Sequence, residues 1–136
     1  SCSVPVRLDN YWIQTVASDS GGFNGIVVLD ITDPYNPVET YRLETGNDMG
    51  PHWLSPNASG EKIVLTGYFK ELEKRVLMLD FDTKSGKLSI DERFGFGDEN
   101  GAGFMLDREE WPHGGVGPAM AHGAIFWPSA PPDWSN

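Results

Sequence analysis

One short pattern occurs twice in this sequence. An apolar run ends in Leu-Asp, a polar turn follows, and then apolar and polar residues alternate; the two copies span residues 25–43 and 75–94. A continuous apolar run is typical of a strand that is buried on both faces. Alternation of apolar and polar residues is typical of a strand that has one exposed face. The chain also carries 16 Gly and 10 Pro among its 136 residues, which long helices tolerate poorly. The pattern therefore predicts an all-β fold of short strands joined by turns.

The interval between the two copies predicts the blades of a β-propeller. Asp30 and Asp80 end the two apolar runs, and their separation suits a blade of roughly 40–50 residues. The chain then divides, in order, into a partial blade over 11–45, a full four-stranded blade over 49–96, a loop over 97–117, the inner strand of a further blade over 118–127, and an irregular tail over 128–136.

Two blades are too few to close a propeller, which needs roughly 4–8. The open faces and edges that two blades leave would cost burial and invite pairing with other strands. We expect the remaining blades to come from the same longer chain or from other copies of this one. The first alternative is favoured, because the predicted partial blade begins without its inner strand.

Acidic residues outnumber basic ones by 20 to 10, which gives a net charge of −10 and an isoelectric point of about 4.5. Such a surface repels nucleic-acid phosphates and anionic membranes. No apolar run approaches the ~20 residues of a membrane-spanning helix. The single cysteine, Cys2, excludes an internal disulfide and a cysteine-based zinc site. We predict a soluble protein without nucleic-acid or membrane partners; the sequence indicates no compartment.

Three histidines, His52, His113 and His122, are the candidate metal ligands. His52 and His122 fall on predicted inner strands, which line the central channel of a propeller, so their imidazoles can approach each other. His113 lies in a glycine-rich loop that could cover the channel mouth. Neutral imidazole is the commonest protein ligand for zinc, copper and iron. The alternative is that the three histidines are unrelated and hydrogen-bond to the backbone. The sequence has no His-x-x-x-His or Cys-x-x-Cys pair that would favour a metal site over this alternative.

Two motifs are more specific than this general pattern: Pro51-His52, and Gly117-Pro118-Ala119-Met120-Ala121-His122. Four further segments accompany them in order, at residues 28–37, 54–62, 79–83 and 94–98. Together they resemble the C-terminal region of the selenium-binding protein family, whose members include methanethiol oxidases. The resemblance covers most of residues 25–127.

The resemblance implies a seven-bladed propeller with a copper-dependent oxidase site that is built from channel histidines and acts on a small thiol. By position it assigns metal binding to His52 and His122, whereas His113 has no counterpart. Gly123 departs from the family, which usually has an acidic residue after the last histidine. The family's cysteine-bearing tail and the histidines of its earlier blades are also outside this sequence, so a complete site needs residues from elsewhere.

Two other functions stay open at this point. A propeller without catalytic activity, which binds a protein or a ligand, is the plainest outcome for such a fold. The five tryptophans could instead stack on sugar rings in a carbohydrate-binding propeller that is assembled from short chains. A short distance between the His52 and His122 imidazoles would favour the metal site. A long distance would favour the binding module.

Overall fold

The computed structural model describes residues 3–18, 21–46, 49–70, 74–95 and 101–127. Within these ranges the chain forms nine strands in two antiparallel sheets, which confirms the all-β class. Three features of the sequence analysis lie outside the described residues: Cys2, the first part of the predicted loop at 97–100, and the tail at 128–136.

The first sheet is a meander of four strands in sequential order. Its strands are β1 (Val6–Leu8), β2 (Tyr11–Val16), β3 (Gly25–Asp30) and β4 (Val38–Glu44). The three longer strands match those predicted over 11–45. The fourth, β1, was not predicted, because three residues are too few to display a periodicity.

The second sheet repeats this arrangement. Its strands are β5 (Met49–Pro56), β6 (Lys62–Lys70), β7 (Arg75–Asp82) and β8 (Lys87–Ile90), in that order. All four lie within residues 49–96, where four strands were predicted. A two-residue strand, β9 (Phe104–Met105), adds to the first residues of β7. The segment predicted as a loop thus returns to the second sheet.

Residues 118–127 contain no strand, although the sequence predicted an inner strand there. A strand exists only as part of a hydrogen-bonded ladder, and no ladder reaches this segment from any described strand. Side-chain hydrogen bonds from the second sheet hold its backbone instead. These bonds are described with the candidate site below.

The hydrophobic core lies between the two sheets. Alternating positions on facing strands supply its buried side chains, which are Ile13, Ile26, Val28, Leu54, Ile63, Leu65, Leu77, Leu79, Phe81 and Leu88. Tyr11 of the first sheet meets Phe81 of the second edge-to-face, with ring centroids 5.6 Å apart. The sheets therefore pack face to face, and β4 lies against β8 at one side.

A charge network crosses the outer surface of the second sheet. The Lys62 ammonium donates to Asp80 at 2.5 Å and to Asp91 at 2.6 Å, and the Arg93 guanidinium donates to Asp91 at 2.8 Å. Hydrogen bonds from Arg93 and Lys62 hold the pKa of the Asp91 carboxyl far below its usual value of 3.8. The network joins β6, β7 and the turn after β8.

We predict that the ionisation of Asp91 makes the free energy of unfolding depend on pH. Because folding lowers the pKa of Asp91, its stabilising contribution is complete above its unfolded-state pKa of 3.8 and is lost as the pH falls toward the folded-state value. Asp91→Asn lacks this contribution, so its unfolding midpoint should fall less than the wild-type midpoint between about pH 5 and pH 3. Urea denaturation at a series of pH values measures the difference. Parallel pH profiles for the two proteins would contradict the prediction.

Candidate metal-binding site

The ladder between β5 and β6 is broken by two bulges near its open end. Its register runs Gly50–Phe69, Pro51–Gly67 and Trp53–Thr66. The ladder therefore skips Tyr68 on β6 and His52 on β5. A residue that a bulge leaves unpaired departs from the regular alternation, and bulges often re-aim side chains in this way beside functional sites.

Hydrogen bonds join the backbone at His52 to the first sheet and to the segment before it. Because His52 is skipped by the ladder, its carbonyl is open to other donors. It accepts hydrogen bonds from the Thr15 hydroxyl on β2 at 3.1 Å and from the Val4 amide at 3.2 Å. The His52 side chain is 6% exposed. Packing and hydrogen bonds thus hold this imidazole in place.

The segment around His122 is held by two side chains of the second sheet. Thr66, which is fully buried, donates its hydroxyl to the His122 carbonyl at 3.0 Å. The indole of Trp53 donates to the Ala124 carbonyl at 3.1 Å. Trp53 and Thr66 are cross-strand partners, so together they form a docking point for residues 122–124.

Gly123 lies directly against Trp53. A Cβ atom built on Gly123 would come within 2.9 Å of the indole ring, which is closer than real Cβ contacts. The absence of a side chain therefore lets this segment approach the sheet and carries His122 toward His52. This gives a physical reason for the glycine at a position where the resemblance implied an acidic residue.

Three aromatic rings meet at this place. The imidazoles of His52 and His122 are stacked, with centroids 5.2 Å apart and an angle of 12° between their planes. The Tyr68 ring lies 5.4 Å from His52 and 5.6 Å from His122, so the three centroids form a nearly equilateral triangle. His52 is buried, while His122 and Tyr68 are exposed, and the cluster is therefore open to solvent on one side.

The spacing of the two imidazoles suits a shared metal ion. A metal bound ~2.0–2.1 Å from a ring nitrogen lies roughly 3 Å from the ring centroid, which puts two ligating rings on the order of 5–6 Å apart. The centroid separation of the stacked rings falls in this range. Because the lone pair of a ligating nitrogen lies in the plane of its ring and the two planes are nearly parallel, one ring, such as the exposed His122 ring, must turn before both nitrogens face one ion. Within the described ranges, no group of three or more His, Cys, Asp or Glu side chains could hold a metal. This part of the chain thus offers two imidazoles and a phenol.

His113 lies in a separate loop. Its exposed ring packs against Trp111 at 6.2 Å, and hydrogen bonds from the Trp111 amide and indole to Gly115 and Gly117 close the loop. No ring contact recorded between described residues joins His113 to the other two histidines. The structure thus brings together two of the three candidate ligands, and the role of His113 stays a prediction.

Three members of the site were not predicted from the sequence: Tyr68, Thr66 and Trp53. One available signal was Gly67, because a glycine inside a strand pattern often marks a bulge. Pro51 was another, because proline within a sheet is confined to edges and bulges. Neither signal specifies which side chain the bulge re-aims.

The fold and the site together define an all-β chain with two antiparallel sheets and a stacked histidine pair beside the open edge of the second. A comparison with models of protein families, with curated proteins and with solved structures found no match to this chain. The resemblance to the selenium-binding protein family therefore stays a prediction. In the part of the chain that the structure describes, no helix has the length and apolar character to cross a membrane.

Proposed function

We propose that the chain is part of a β-propeller in which His52 and His122 bind a transition metal, with copper as the expected ion, in an oxidoreductase that acts on a small thiol. The observation that carries this proposal is the stacked pair of imidazoles, which come from distant parts of the chain and lie 5.2 Å apart. Imidazole nitrogen suits copper, zinc and iron. Copper and the thiol are the choices that the resemblance implies.

The two meanders support the propeller. Each sheet contains a meander of four strands in sequential order, as propeller blades do, and the two sheets pack face to face. The outer face of the first sheet still carries apolar groups, since Trp12 pairs with Leu29 there and remains 37% exposed. A neighbouring blade would cover this face. We propose that such blades come from the same longer chain or from other copies.

The residues of this chain would have different roles at the proposed metal site. His52 is buried and fixed by its backbone, so it would hold the ion in position. His122 and Tyr68 lie on the solvent side, where a small molecule can enter. A bound copper ion would supply one-electron exchange, which neither imidazole provides. The remaining ligands would come from other blades, as the resemblance implies.

Copper binding tests this proposal. We expect the protein to retain copper, and His52→Ala and His122→Ala to weaken its binding by at least about tenfold, because even the outer partners of metal ligands are worth 10–100-fold in affinity. His113→Ala is the matched control and should bind copper like the wild type. Competition with a chromophoric chelator, together with metal analysis, gives the affinities. A protein that retains no copper, or three variants with equal affinities, would contradict the proposal.

A second candidate is a propeller without catalytic activity that binds another protein. The C-terminal part of the described chain favours it, because large apolar side chains are exposed there: Val116, Met120, Ile125 and Trp127. Exposed apolar patches often mark interaction surfaces. A folded protein that binds no copper would leave this function as the better explanation.

A further inference from the structure

We propose that Tyr68 is a third ligand at the same site and binds the metal through its phenolate oxygen, with its proton passing to solvent. This inference rests on the proposed function, because it needs an ion at His52 and His122. It adds a residue that neither the histidine pattern nor the resemblance indicated.

A pair of bulges redirects the side chains of Tyr68 and His52. His52 is skipped on β5 and Tyr68 on β6, and one skipped residue on each strand lets the ladder resume its original register. Before and after the irregularity the two strands therefore pair alike. Its effect is confined to the direction of these two side chains, and their rings lie 5.4 Å apart. Bulges that re-aim side chains are a recurrent device beside functional sites.

The Tyr68 ring lies at nearly the same distance from both imidazoles. Its centroid is 5.4 Å from His52 and 5.6 Å from His122, whereas a residue that packed against one histidine alone would be much closer to that one. The side chain is 59% exposed, and its hydroxyl makes no hydrogen bond within the described part of the chain. The oxygen can therefore reach an ion without breaking a hydrogen bond to any residue that the structure describes.

The chemistry of the available ligands also favours Tyr68. Two imidazoles leave a copper or iron ion short of ligands, and the described residues add no carboxylate or thiolate to form a larger group with them. Tyrosine oxygen is an established protein ligand, as in the iron site of catalase. Tyr68 is the oxygen donor whose ring already contacts both histidines.

Spectroscopy of the copper-loaded protein tests this assignment. The wild-type protein titrated with Cu(II) should show a visible charge-transfer band from phenolate to metal, and resonance Raman excitation within that band should enhance tyrosinate ring modes. Tyr68→Phe should lose the band and the modes and bind copper about tenfold more weakly, while its circular dichroism is unchanged. Tyr35→Phe is the matched control, since Tyr35 is 92% exposed in the turn between β3 and β4, and it should keep the band.

The outcomes separate the two proposals. Copper bound by His52 and His122 without a tyrosinate band would overturn the role of Tyr68 and leave the proposed function intact. A band that persists in Tyr68→Phe would also overturn it, because another tyrosine would then be the ligand. A wild-type protein that takes up no copper would overturn both proposals together.

Discussion

Replacing Leu65 by alanine should lower the free energy of unfolding by about 2–5 kcal/mol, the range for a leucine removed from a packed core. Leu65 is fully buried in the middle of β6. Its neighbours across the ladder are Leu54 on β5 and Leu77 on β7, and all three belong to the core between the sheets. The truncation leaves a cavity that neighbours on two sides cannot fill without disturbing both ladders.

Urea denaturation followed by tryptophan fluorescence measures this loss. Val38→Ala is the matched control, because Val38 lies on β4 with 61% of its surface exposed, and its truncation should change the free energy by no more than about 0.5 kcal/mol. Equal effects of the two variants would mean that the sheets do not enclose a common core. Such a result would also contradict the conclusion that packing between the sheets positions His52.

Replacing Gly123 by alanine should weaken copper binding about as much as removing His122 does, by at least about tenfold. The new Cβ would fall 2.9 Å from the Trp53 indole, and residues 122–124 would have to move away from the sheet. This movement breaks the hydrogen bonds from Trp53 to Ala124 and from Thr66 to His122. His122 would then leave the stacked arrangement although its own side chain is intact.

The same variant should cost far less stability than Leu65→Ala, because residues 122–124 lie outside the core. Copper affinity and urea midpoints, measured side by side, separate the two effects. Val116→Ala is a control from the same part of the chain, since Val116 is 82% exposed, and it should leave copper affinity unchanged. Unchanged affinity in Gly123→Ala would show that the docking of this segment on Trp53 does not position His122.

Much of the fold could be predicted, because several strands carry strong local patterns. The apolar runs of β3 and β7 and the alternation in β4 and β8 each identify a strand without reference to the rest of the chain. The strands that were missed, β1 and β9, have three and two residues. Such short strands are defined by their partners, and a sequence pattern cannot carry that information.

The site was partly predictable for a related reason. Placing His52 and His122 on neighbouring inner strands predicted that their imidazoles could meet, and they do. The predicted strand at His122 does not form among the described residues, and hydrogen bonds from Trp53 and Thr66 hold this segment. Tyr68 enters the cluster only through the register of two bulges, which depends on contacts between strands. Propensity and periodicity describe single strands and leave such registers undetermined.

The bulge at His52 also affects how readily the edge strand β5 can pair with a strand of another molecule. β5 is an edge strand of the second sheet, and the unpaired amides and carbonyls of an edge strand are a template for pairing between molecules. Thr15 and Val4 already occupy the carbonyl of His52, and a parallel bridge from Val4 to Trp53 covers the adjacent position. The template is thus interrupted near its middle. The irregularity that aims an imidazole at its partner also makes this edge a poor acceptor for a foreign strand.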